Sequence, residues 1–152
     1  MLVLKDIVEI KATPEKIWAF FIDLEKNYKS WHPQDHVLFR WTKGRPMATG
    51  SCFYAEELMK GKVKKFRGRI GEVVPYRKIV FINSFPVSTL SPKFEWQIEP
   101  GGVNSIFIAV NYMRGEKILR RLLKDGMEDL IEIGKKHMKE EGENLKEILE
   151  KQ

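Results

Sequence analysis

An α+β fold is expected from this sequence: a curved antiparallel sheet of seven strands around one long C-terminal helix, with two short helices after the first strand. Three observations predict it. Seven strand-like segments are divided by short turn signals, which favours antiparallel neighbours. Helix-prone sequence interrupts them only once, directly after the first strand. The chain then closes on a segment whose apolar residues recur every three or four positions. All 152 residues are expected to form one domain, 1–152.

The elements follow in order. Val3–Ile10 alternates as a strand. Thr13-Pro14-Glu15-Lys16 opens a helix, with Thr13 as cap and Pro14 in the first helical position. Ile17, Trp18, Phe20, Phe21 and Leu24 give that helix a packed face. Asp23 starts a second short helix through Tyr28 and Trp31. Strands are predicted at His36–Trp41, Ser51–Lys60, Lys62–Val74, Arg77–Ser84, Lys93–Ile98 and Val103–Met113. Gly61, Pro75-Tyr76 and Glu99-Pro100-Gly101-Gly102 mark turns between them. The final helix is predicted from Glu116 to about Leu149. Leu119, Leu123, Met127, Leu130, Gly134, His137, Glu141, Leu145 and Ile148 draw one stripe along it. Gly126, Gly134 and Gly142 each weaken it by roughly 1 kcal/mol relative to Ala, so close approach or bending is expected there.

This order resembles the helix-grip fold of the START/Bet v 1-like (SRPBCC) superfamily. Val8-Glu9-Ile10-Lys11-Ala12-Thr13-Pro14-Glu15-Lys16-Ile17-Trp18 is similar to the usual opening of that superfamily. Gly71-Glu72-Val73-Val74-Pro75-Tyr76-Arg77-Lys78-Ile79 is similar to its central hairpin. The resemblance covers almost the whole chain and implies a cavity between sheet and helix. It is specific for fold and not for function, since such proteins bind lipids, hormones and polyketides or catalyse different reactions.

Composition narrows the classes. Hydrophobic residues make up 43% and charged residues 32%, a globular rather than a disordered balance. No apolar run approaches the ~18 residues of a membrane span. The opening Met1-Leu2-Val3-Leu4-Lys5-Asp6 meets charge too early for a secretory signal. Cys52 stands alone, which excludes an internal disulfide and a Cys-rich zinc module. A cytoplasmic location is the resulting expectation. The net charge is +6, with the basic excess lying before Glu116. Lys60, Lys62, Lys64, Lys65, Arg67 and Arg69 concentrate it. They lack an interleaved aromatic array, so a charged solvent face is favoured over nucleic-acid binding.

The chain has three histidines. His32 and His36 flank Pro33-Gln34-Asp35, and His137 sits on the helical stripe. In a helix-grip layout all three converge on one end of the cavity. Histidines four apart suit zinc, although Pro33 pushes His32 away from helical geometry. Without cysteines, zinc takes carboxylates. The strand containing Glu56 and Glu57 supplies one. Parity puts them on opposite faces, and both faces carry apolar residues. Glu57 is preferred as a ligand, with Glu56 as the alternative. Glu141, one turn after His137, is a further candidate.

Tyr28-Lys29-Ser30-Trp31-His32-Pro33-Gln34-Asp35-His36-Val37, followed by Glu56-Glu57 on a strand and His137 on the last helix, resembles the phloretin hydrolase and diacetylphloroglucinol hydrolase family. The resemblance implies a zinc-dependent hydrolase that cleaves the carbon–carbon bond between an acyl group and a phenolic ring. It implies zinc ligands at His32 or His36, at Glu57 or Glu56, and at His137. Nothing like that family's additional N-terminal region is present in this sequence. Tyr28 and Glu56 are the candidate catalytic residues, Tyr28 as proton donor, and Asp35 is a candidate for orienting a ligand imidazole. Trp31, Trp41, Phe53 and Phe94 are the candidate ligand-binding residues. The expected partner is a hydrophobic or aromatic small molecule, and the reading leaves room for a homo-oligomer. A non-enzymatic carrier or sensor of such a molecule is the alternative function.

Overall fold

The computed structural model describes residues 1–114, 117, 121 and 126–152. The described elements run β1 (Leu2–Ile10), α1 (Pro14–Ile22), α2 (Leu24–Trp31), β2 (His36–Lys43), β3 (Cys52–Met59), β4 (Lys62–Val74), β5 (Lys78–Asn83), a 3-10 turn at Val87–Thr89, β6 (Lys93–Gly101), β7 (Asn104–Met113) and α3 (Gly126–Glu150). The strands form one seven-stranded sheet in the spatial order β1-β7-β6-β5-β4-β3-β2. Every neighbouring pair is antiparallel. The expected architecture is present, including both short helices after β1. The predicted helix start at Glu116, with Leu119 and Leu123, lies outside the described residues.

Local chemistry accounts for the boundaries. Thr13 Oγ1 accepts the backbone N–H of Lys16 at 3.3 Å, and Pro14 sits in the first turn of α1. This satisfies one of the donors left over at a helix start. Asp23 separates α1 from α2, and its N–H closes back onto Ala19 O. Inward residues of α1, α2 and the sheet then interlock through aromatic rings. Phe21 stacks on Trp96 at 4.5 Å between centroids, and Trp31 meets Phe20, Phe21 and Trp96 edge-on or tilted. The helix α3 presses Met138, Leu145 and Leu149 into the same core.

Two glycines permit close approaches. A Cβ on Gly142 would stand 2.9 Å from Asp6 Oδ2 and 3.2 Å from Val8 Cγ1, so its absence lets α3 lie directly against β1. A Cβ on Gly68 would collide with the Ile82 carbonyl and lie 2.9 Å from the Phe53 ring. Gly68→Ala is therefore expected to destabilise by about 1–3 kcal/mol, the usual cost of overpacking. Urea denaturation measures it, and an unchanged midpoint would contradict the packing described.

A bulge in β2 matters most for the site. His36 pairs with Glu57, but the next paired residue, Leu38, stands opposite Glu56. The extra residue, Val37, shifts the parity of the strand. Simple alternation would put His36 on the outer face with Leu38 and Arg40. The bulge instead places it beside Glu57, on the inner face with Phe39.

Candidate functional site

Sheet and helix enclose a cavity of about 170 Å³. Phe53, Phe66, Phe81, Phe94, Trp96 and Ala109 supply its apolar wall. Two polar groups of residues contribute to the same lining. One contains Tyr28, Glu57, His137 and Glu141, and the other contains Asn83, Ser91 and Asn111.

The first group belongs to a cluster that joins distant parts of the chain. The rings of His32, His36 and His137 lie with centroids 5.1–5.3 Å apart. Asp35, Glu57, Glu140 and Glu141 surround them. His137 Nδ1 lies 3.1 Å from Asp35 Oδ2, while its Nε2 lies 3.3 Å from Glu141 Oε1 and 3.5 Å from Glu57 Oε1. His36 Nε2 lies 2.9 Å from Glu141 Oε2. Two sets of side chains bring one ligand atom each within 4.8 Å of the others: His36, Glu57 and His137, and His32, Asp35 and His137.

Hydrogen bonding separates the two neighbouring histidines. His36 Nδ1 faces the Tyr28 carbonyl oxygen at 2.8 Å. A carbonyl only accepts, so Nδ1 carries a proton, which leaves Nε2, beside the Glu141 carboxylate, as the nitrogen that can give up its hydrogen bond and offer a lone pair to a metal. That is the tautomer a metal-binding imidazole needs. His32 is wired the other way. Its Nδ1 accepts the backbone N–H of Asp35 at 3.1 Å, so its proton sits on Nε2 and is donated to Glu140 Oε2 at 3.1 Å. A ring nitrogen carrying that proton has no lone pair for a metal. The geometry therefore suits His36 for ligation and gives His32 a supporting role.

Charge in the cluster is strongly biased. Burial works against a cation at His137, but Glu141, Glu57 and Asp35 more than offset it and push its pKa up to about 11. Burial likewise opposes ionisation of Glu141, yet His137 and His36 hold its carboxyl well below the usual range. The Tyr28 hydroxyl donates to Glu57 Oε2, and its ring stacks on His36 with centroids 3.8 Å apart. Burial, then the Glu57 and Glu141 charges, push the Tyr28 phenol well above its ordinary value. It remains a proton carrier rather than a phenolate.

The donor set fits a zinc ion: imidazole nitrogens and carboxylate oxygens converging in a mostly buried, anionic pocket. His36, Glu57 and His137 could hold it, with Glu141 as the fourth side chain in reach. Asp35, at His137 Nδ1, occupies the position that fixes the orientation of a ligand imidazole.

Not every candidate residue reaches the cavity. Glu56 lies on the outer face, where its carboxylate accepts from the Tyr54 hydroxyl and Arg40 and Arg67 flank the Tyr54 ring. This corrects its assignment as a catalytic residue, because the sheet itself stands between it and the cluster. Phe53 and Phe94 line the cavity. Trp31 does not; it is fully buried behind the cluster, donating from Nε1 to the Glu141 carbonyl at 2.9 Å. Trp41 packs edge-on against Phe39 outside the lining. Sequence reasoning missed Glu140 as the partner of His32, and also Asn83, Ser91 and Asn111. Glu140 was readable as the residue three after His137. The other three carried no motif.

The basic run divides between surfaces. Lys60 pairs with Asp129, and Lys60, Lys62 and Lys64 border a groove with Met59, Leu130 and Ile133. Among the described residues no helix is long and apolar enough to cross a membrane.

No family model matches the sequence, and no curated protein matches it. Solved structures do. The crystal structure of TTHA0849 from Thermus thermophilus has a TM-score of 0.74 at 13% identity, covering 97% of each chain. Norcoclaurine synthase from Thalictrum flavum, solved with dopamine and hydroxybenzaldehyde, has a TM-score of 0.68 at 12% identity, covering 99% of this chain and 87% of that one. The di-domain ARO/CYC BexL of the BE-7585A biosynthetic pathway has a TM-score of 0.64 at 13% identity. There the match covers 99% of this chain and 47% of that one, so this chain spans about half its length. These likenesses establish the helix-grip fold, the one expected of START/Bet v 1-like proteins.

Proposed function

We propose that this protein is a zinc-dependent hydrolase that cleaves the carbon–carbon bond between an acyl group and a phenolic or polyketide-like ring. The observation that carries the reading is the convergence of His36 Nε2, Glu57 and His137 Nε2 at the edge of an aromatic-walled cavity. The resemblance of the Tyr28–Val37 segment to the phloretin hydrolase family supports the reaction class.

Zinc, when bound, would lower the pKa of a water molecule and polarise the substrate carbonyl. The protein's own groups account for the rest. Asp35 holds His137 in place through Nδ1, and the Tyr28 carbonyl does the same for His36. In the net reaction, water and the ketone become a carboxylic acid and a ring that gains one hydrogen. Tyr28 can deliver that hydrogen as a proton, because its phenol stays protonated among the carboxylates. The wall of Phe53, Phe81 and Phe94 excludes bulk water and gives the ring a flat surface to pack on. A cavity of about 170 Å³ suits a ligand of one ring rather than several.

The test is turnover of monoacetylated and diacetylated 1,3,5-trihydroxybenzene by the zinc-loaded protein. One acetate should appear per bond cleaved, and chelation should abolish its release. Binding of these compounds with no acetate formed at any metal loading would favour the carrier, which the apolar wall also suits.

Metal uptake should depend on pH. His137 carries a proton up to about pH 11, and an incoming ion must displace it. Affinity should therefore rise with pH by up to about tenfold per unit across the neutral range. Calorimetry in buffers of different ionisation heat should find about one proton released per ion. Affinity that is flat with pH would contradict this.

A further inference from the structure

Asn83 lines the cavity and carries a buried acceptor with no hydrogen-bond partner among the described residues. It is the last residue of β5 and shares the inward face with Ile79 and Phe81. Its register places it beside Gly68, which in turn stands beside Phe53. It is 8% exposed. Its Nδ2 donates to the Ser91 carbonyl at 2.9 Å. Since a carbonyl only accepts, this contact fixes which end of the amide is nitrogen. The other end, Oδ1, is buried and has no hydrogen-bond partner among the described residues. Beside it the Ser91 hydroxyl donates to Asn111 Oδ1 at 2.5 Å, so that hydroxyl's proton is already committed. Asn83, Ser91 and Asn111 all line the cavity that contains Glu57 and His137.

Buried acceptors are almost always paired, and one left unpaired carries the full cost of its lost water. A few polar atoms placed in a largely aromatic wall set ligand orientation and specificity. We infer that Asn83 Oδ1 is a recognition point for a hydrogen-bond donor on the ligand, a ring hydroxyl, in a subsite separate from the His36–Glu57–His137 cluster. This gives the phenolic ring proposed above a direction: a ring hydroxyl is turned to Asn83 while the acyl carbonyl faces the histidines. Such a site rejects the analogue lacking the hydroxyl more strongly than an apolar pocket rejects an added group, because the acceptor is then stranded. The inference rests on the cavity being the small-molecule site proposed above, but not on the metal.

The experiment compares acetophenone with 2-, 3- and 4-hydroxyacetophenone by calorimetry, using the full chain after chelator treatment. At least one hydroxylated isomer should bind ten- to a hundredfold more tightly than acetophenone. Asn83→Leu should remove that advantage while leaving acetophenone affinity within about threefold. Equal affinities for all four compounds in the wild-type protein would overturn the inference, and that arm needs no variant to fold. So would an advantage retained by Asn83→Leu, or a crystal structure of the complex with the ligand hydroxyl turned away from Oδ1. Metal content is read separately. A hydroxyl preference in a protein that binds no zinc would retain this subsite and discard the hydrolase.

Discussion

His36→Ala is expected to abolish stoichiometric zinc binding, and His32→Ala is expected to weaken it by no more than about 10–100-fold. The two residues lie four apart, and both are 1% exposed. Burial and spacing therefore do not distinguish them. Their hydrogen bonds do. The Tyr28 carbonyl fixes the proton of His36 on Nδ1, and the Asp35 N–H fixes that of His32 on Nε2. Losing one of three protein ligands in a zinc site removes most of the binding free energy. Losing a residue outside the ligand shell typically costs about 10–100-fold at most. Unfolding should be measured in chelator for both variants, since His36→Ala also removes the ring stacked on Tyr28 and leaves its carbonyl unpaired. Full zinc occupancy in His36→Ala, or loss in His32→Ala alone, would reverse the assignment.

Tyr28→Phe is expected to lower the rate of acetate release by about 10²–10⁴-fold, the usual contribution of a positioned general acid. Zinc content should be unchanged, because the ring still stacks on His36 and the variant removes only the hydroxyl. The expected loss is in kcat rather than KM, since a proton moves only on the way to the transition state. A variant that kept its rate would leave Tyr28 as a packing residue. One that lost its zinc would show that the hydroxyl acts through Glu57, whose carboxylate it meets.

Much of the fold is legible in the sequence because its signals are local. Thr13-Pro14 fixes the start of α1, and Gly61 and Gly102 adopt the positive φ that their turns require. The stripe on α3 gives its inward side to within one position: Leu145 is buried as expected, while Met138 and Leu149, each one residue beyond a stripe position, complete the packing. The predicted strand Lys62–Val74 matches β4, while β2 and β6 run on past their predicted ends, to Lys43 and Gly101. Those extensions are cross-strand pairing, which residue propensity does not encode.

The site is legible in composition but not in orientation. All three histidines are readable as a converging set, because the fold brings α2, β2 and the last helix together. The choice between Glu56 and Glu57 is not readable, since both faces of β3 carry apolar residues: Phe53 and Ala55 inside, Tyr54 and Leu58 outside. The inward turn of His36 depends on the bulge at Val37, a register event with no glycine or proline to announce it. The distinction between His32 and His36 rests on which backbone group meets each ring, and only coordinates supply that. The segments carrying Trp31 and Trp41 do run near the cavity. Their side chains pack into neighbouring aromatic layers instead.

The central claim is that imidazoles from the α2–β2 segment and from α3 share one metal ion. Anomalous diffraction at the zinc edge, from crystals grown with one equivalent of zinc, tests it most directly. The account predicts a single strong peak within about 2.0–2.2 Å of His36 Nε2, His137 Nε2 and a Glu57 oxygen. No peak in the cluster, or a peak bound by His32 with His36 still turned to Glu141, would contradict it.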